Sequence, residues 1–60
     1  MKRADILAKL ADAGFLQSEG SNHTKMRHPD GRVTYVGRHR EIPEGTVRAI
    51  EKQTREKLSK

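Results

Sequence analysis

Three histidines, a Gly-Ser pair and a dense set of cations are the residues of this chain equipped for chemistry. His23 is the best placed of them. It closes the run Gly20-Ser21-Asn22-His23 and opens the alternation His23-Thr24-Lys25-Met26-Arg27. On a strand, alternate side chains share a face, so Thr24 and Met26 point one way and His23, Lys25 and Arg27 the other. With Met26 in a core, an imidazole and two cations face outward together. An imidazole, with an ordinary pKa of about 6.5, both takes and gives protons near neutral pH. A positioned acid–base group of this kind contributes about 10² to 10⁴ in rate. Lys25 and Arg27 can balance charge as it develops on a phosphate. Gly20 lets backbone come close to a ligand, and Ser21 can donate a hydrogen bond.

The same residues also have a plain reading. Gly-Ser-Asn is an ordinary turn, a Lys-x-Arg strand face discourages edge pairing, and most strand-edge histidines are simply solvated. A metal site is not expected. His23, His28 and His39 lack zinc-ligand spacing, there is no cysteine, and no His-x-x-x-His sits on a helix. His23 and His28 are an odd number of residues apart, so a continuous strand sends them to opposite faces. No cofactor is expected either.

Composition narrows the partner. Thirteen Lys and Arg against eight Asp and Glu give a net charge of +5 in only 60 residues. That excess favours a polyanion, nucleic acid first. RNA carries its own nucleophile, the 2′-hydroxyl, so one imidazole with cationic neighbours suffices for slow cleavage. Glu44, Glu51 and Glu56 along the last helix argue against a reader of the DNA major groove. The chain is expected to form one domain over residues 1–60. No apolar run approaches the roughly 18 residues that cross a membrane, and Asp5, Lys9 and Asp12 break up the pattern of a signal peptide. A cytoplasmic protein without membrane contact is the expectation. So short a chain buries only about 60% of its unfolded surface, and with no disulfide available a partner chain is a natural source of extra stability.

The elements that must hold His23 follow from periodicity. Ile6, Leu7, Leu10 and Ala11 form one stripe of a helix over Lys2 to Ala13. Gly14 is suited to end it in a left-handed conformation, with Phe15 folding back on Leu10. Phe15 to Glu19 reads as a short strand, His23 to Arg27 as a second, and Arg32 to Gly37 as a third. His28-Pro29-Asp30-Gly31 makes the hairpin between the last two. In the third strand Val33 and Tyr35 compete with Thr34 and Val36 for the core; Val36 inward leaves Tyr35 beside the polar edge, where packing at the rim is its ordinary role and stacking a base the alternative. Arg38-His39-Arg40-Glu41 is a charged connector. A second helix starts between Pro43 and Thr46 and buries Val47, Ile50, Thr54 and Leu58. Glu44–Arg48 and Glu51–Arg55 are i,i+4 pairs on its exposed side. The result is an α+β fold, α-β-β-β-α, with two helices on one face of a three-stranded antiparallel sheet.

The ordered set Gly14-Phe15, Gly20-Ser21-Asn22-His23, Arg27-His28-Pro29-Asp30-Gly31-Arg32, Arg38-His39, Gly45-Thr46-Val47-Arg48 and Lys52-Gln53 resembles the HicA toxin family. The resemblance runs from about residue 4 to residue 53. It implies a domain similar to double-stranded-RNA-binding domains and a toxin that cleaves mRNA. It also implies a cognate antitoxin of the HicB type that holds the toxin inactive. The family's catalytic histidine falls on His23. Gly20, Ser21, Lys25, Arg27, Arg38 and His39 then become the expected RNA-binding residues around it. A non-catalytic RNA-binding module of the same fold is the alternative, and only turnover separates the two.

Overall fold

The computed structural model describes residues 1–20 and 22–58. Helix α1 spans Arg3–Asp12, strands β1, β2 and β3 span Leu16–Glu19, His23–Arg27 and Val33–Gly37, and helix α2 spans Glu44–Thr54. The strands form one antiparallel sheet in the order β1-β2-β3. This is the α-β-β-β-α arrangement that the periodicities predict.

Helix α1 stops where the chain needs a left-handed residue. Gly14 has φ +100°, and the Phe15 N–H donates to the Leu10 carbonyl at 3.0 Å. That turn drops Phe15 into the core beside Ile6 and Leu10. The β2–β3 hairpin anchors on the same corner. His28 packs edge-on against Phe15 with ring centroids 5.0 Å apart, and its Nε2–H donates to the Ala13 carbonyl at 3.1 Å. The guanidinium of Arg32 lies over the Phe15 ring, 5.1 Å from its centroid. Within the turn, Gly31 takes φ +105° and Asp30 Oδ1 accepts the Arg32 N–H at 3.0 Å. The hairpin pairs Met26 with Thr34 and Lys25 with Tyr35.

Register then decides the faces. Thr24, Met26, Thr34 and Val36 are buried beneath the helices, together with Ile42, Val47, Ile50 and Leu58. The contest in β3 is won by Thr34 and Val36, and Tyr35 stays out. A buried hydroxyl needs a partner, and each threonine has one. Thr34 Oγ1 donates to Gln53 Oε1 at 2.7 Å, Thr54 Oγ1 donates to the Ile50 carbonyl at 2.7 Å, and Thr24 joins a network with Glu19 and Arg3.

Two expectations are corrected. Ala11 is exposed, and half-buried Ala13 packs on the core instead. Leu58 is buried, but not as part of α2. The helix ends at Thr54 because Arg55 takes a left-handed conformation with φ 59°. The chain then doubles back, and Glu51 Oε2 accepts the Leu58 N–H at 2.7 Å, so that carboxylate caps the return. The expected i,i+4 pair between Glu44 and Arg48 is present, at 2.9 Å. No helix among the described residues is long and apolar enough to cross a membrane.

Candidate functional site

His23 opens β2 directly after the turn from β1. The turn closes through the Gly20 N–H, which donates to the His23 carbonyl at 3.0 Å. A Cβ at position 20 would lie only 3.0 Å from that oxygen, so the missing side chain is what allows so close a return. Ser21 lies outside the described residues. Arg38 clamps the turn from the far end of β3, its Nη2 donating to the Gly20 carbonyl and, at 3.1 Å, to Glu19 Oε1. Glu19 also accepts from Gln17 at 2.8 Å and from Thr24 Oγ1 at 3.0 Å. The Gln17 and Thr24 hydrogen bonds, aided by the charges of Arg38 and Arg3, hold the Glu19 carboxyl below its ordinary range despite partial desolvation.

The face of the sheet away from the helices follows from the register. Its rows are Leu16–Arg27–Val33, Ser18–Lys25–Tyr35 and His23–Gly37. Facing partners in an antiparallel pair lie on the same side of the sheet. His23, Lys25 and Arg27 therefore share one open surface, as their alternation predicts. No Asp or Glu stands on this face among the described residues. Leu16 and Tyr35 are 59% and 56% exposed there, leaving apolar surface between the cations. Opposite His23 stands a glycine, so nothing on β3 covers the imidazole. Among the described residues the side chains of His23, Lys25 and Arg27 have no hydrogen-bond or ion-pair partner, and they are free to engage a ligand.

His39 comes to the same place by a different route. A Cβ built on Gly37 would meet His39 Cδ2 at 3.8 Å. One edge of the His39 ring thus comes within van der Waals reach of the Cβ position of Gly37, the residue paired with His23. Arg38, by contrast, is occupied in holding the turn. Of the expected site residues, His23, Gly20, Arg38 and His39 converge at this end of the sheet, while Lys25 and Arg27 continue along the open face.

A second cationic cluster adjoins this end and has no counterpart in the sequence-based expectations. Lys2, Arg3, Ala4, Arg38 and Arg40 line a groove of about 380 Å³. It exists because the start of the chain pairs with the connector. Lys2 bridges Glu41, the Arg3 N–H donates to the Arg40 carbonyl at 3.0 Å, and the Ile42 N–H donates to the Met1 carbonyl at 2.8 Å. Arg3 is committed to structure, with Nε on the Gly37 carbonyl at 3.1 Å and Nη2 on Thr24 Oγ1. Lys2 and Arg40 have no side-chain partner among the described residues. The only advance signal was basic residues at both ends of that pairing. A larger groove of about 420 Å³, lined by Asp30, Gly31, Arg32, Gln53 and Arg55, lies by the hairpin turn; its mixed charge and distance from His23 give it no part in the site.

Comparison with known proteins identifies the framework. A family model described as the HicA toxin of bacterial toxin-antitoxin matches residues 3–55. No curated protein and no solved structure matches the chain.

Proposed function

The chain belongs to the HicA toxin family, and from that membership we propose that it is a metal-independent endoribonuclease that cleaves mRNA with His23. The observation that carries the reading is an imidazole that, among the described residues, has no partner and faces Gly37 on an uncovered sheet face with cations and no acids. A phosphodiester drawn onto Lys25 and Arg27 brings a neighbouring 2′-hydroxyl within reach of His23. The hydroxyl attacks its own phosphorus once a base takes its proton. Negative charge grows on the phosphoryl oxygens, and preorganised cations in a site of this kind stabilise it more than water does. Gly20 belongs to the turn that frames His23, Ser21 is a hydrogen-bond donor to RNA in this reading, and Arg38 acts on RNA chiefly by holding that turn. Tyr35 offers a stacking surface in the row beside His23.

The partner in this reading is a cognate antitoxin of the HicB type. An acidic segment of it laid over the open face covers His23 and adds the binding free energy that so small a core lacks. Expression of the chain without antitoxin tests the assignment. Wild type is expected to arrest growth and fragment mRNA, and folded His23→Ala is expected to do neither. Equal fragmentation by both would remove His23 from the mechanism. Loss of cleavage by the wild type on adding EDTA would remove the metal-free mechanism.

A further inference from the structure

Transesterification of RNA needs two proton transfers, one from the attacking 2′-hydroxyl and one to the departing 5′-oxygen. Resting on the reading of His23 given above, we infer that His39 is the second catalytic residue, the acid that protonates the 5′-oxygen. Three observations bear on it. In the β2–β3 ladder His23 faces Gly37. Opposed Cβ positions in such a pair are about 5 Å apart. His39 Cδ2 lies 3.8 Å from the Cβ position of Gly37, a position that the pairing puts on the His23 side of the sheet. The place above Gly37, which carries no side chain, is thus bordered by both residues, and it is where the scissile phosphodiester would sit.

Both rings are also available. Neither has a hydrogen-bond or ion-pair partner among the described residues. His28 makes the contrast, since its Nε2 is taken by Ala13 and its Nδ1 by the Asp30 N–H. The flanks of the two rings assign their roles. His39 stands in the chain between Arg38 and Arg40, which line the groove together with Lys2 and Arg3. Lys25 and Arg27 share β2 with His23, so a phosphate held by them sets the 2′-oxygen beside His23 and leaves the 5′-oxygen to depart toward His39, which makes His39 the acid and His23 the base. The step balances as follows. Neutral His23 takes the 2′-hydroxyl proton as the 2′-oxygen bonds to phosphorus. The bond from phosphorus to the 5′-oxygen breaks, and protonated His39 gives its proton to that oxygen. The products are a 2′,3′-cyclic phosphate and a 5′-hydroxyl, with no oxidant, reductant or co-reactant consumed.

A sulfur leaving group separates this role from binding. An RNA oligonucleotide with one 5′-bridging phosphorothiolate departs without needing a proton, whereas its natural counterpart does need one. His39→Ala is expected to lower kcat on natural RNA by about 10² to 10⁴, with KM within a few-fold of wild type. On the phosphorothiolate it is expected to approach the wild-type rate, while His23→Ala stays slow on both. Circular dichroism checks that each variant is folded, and His39 is exposed enough for the fold to tolerate the change. His39→Ala that matches wild type on natural RNA, or that is equally slow on both substrates, would overturn the role of His39 and leave that of His23 standing. Wild-type cleavage by His23→Ala would instead overturn the earlier reading and the pair with it.

Discussion

If the open face and the adjoining groove bind RNA, the salt dependence of binding should count their free cations. Among the described residues, four cations at these two places have no partner: Lys25 and Arg27 on the sheet face, and Lys2 and Arg40 in the groove. Each phosphate neutralised on a single strand releases counterions and adds about −0.7 to the slope of log K against log salt. Four contacts give a slope of about −2.8, so that raising salt from 50 to 200 mM weakens binding about 50-fold. Substituting Lys25 and Arg27 together by Ala leaves a slope of about −1.4 and a weakening of about 7-fold over the same range. The assay is fluorescence anisotropy with a 2′-O-methyl oligonucleotide, which lacks the nucleophile and cannot be cut. Lys9→Ala/Lys52→Ala, exposed cations on the helices, serves as the control and should leave the slope near that of wild type. An unchanged slope in the Lys25/Arg27 double variant, or an equal drop in the control, would refute the placement of RNA on this face.

Two further outcomes test the scaffold. Gly14→Ala forces a side chain onto φ +100° and sets its Cβ 2.9 Å from His28 Nε2, which is held by the Ala13 carbonyl. Strain and the lost hydrogen bond together cost about 2–3 kcal/mol, and the melting temperature should fall by about 8–24 °C. Gly31→Ala, at φ +105° with open space around it, isolates the strain; thermal melts in which it loses as much as Gly14→Ala would discount the His28 contact. In acid, stability should decline. Glu19 and Asp30 are both held below their ordinary carboxyl ranges, Glu19 first by Gln17 and Asp30 first by the Arg32 N–H. Depressed carboxyl values stabilise the fold above the unfolded pKa, and that contribution is lost as pH falls through the folded one. Denaturant midpoints should therefore drop below about pH 4.5, and Glu19→Gln should flatten part of that limb. An unaltered pH profile in Glu19→Gln would show that the turn network adds nothing to the fold.

The shared face of the candidate residues on β2 was legible from the chain. Alternation alone puts His23, Lys25 and Arg27 on one side of β2, and the burial of Thr24 and Met26 agrees. Gly14 and the Pro-Asp-Gly turn announced their breaks because each needs a backbone conformation that few residues adopt. The competing faces of β3 could not be told apart by hydrophobicity, since Thr34 is buried through its bond to Gln53, 19 residues further on. Nor could the cationic groove be seen, because Lys2 and Arg40 meet only through backbone pairing between distant segments. The end of α2 was misplaced for a similar reason. Leu58 keeps helical spacing, but Arg55 has already left the helix and the chain returns by a different path.

The central claim is that His23 moves the proton in RNA cleavage. Purified wild type, His23→Ala and His23→Gln can be compared on one RNA at equal concentration, with EDTA present and the product ends analysed. The account predicts 2′,3′-cyclic phosphate and 5′-hydroxyl ends from the wild type, and a rate about 10² to 10⁴ lower from either variant. Folded His23 variants that cleave at the wild-type rate would contradict it.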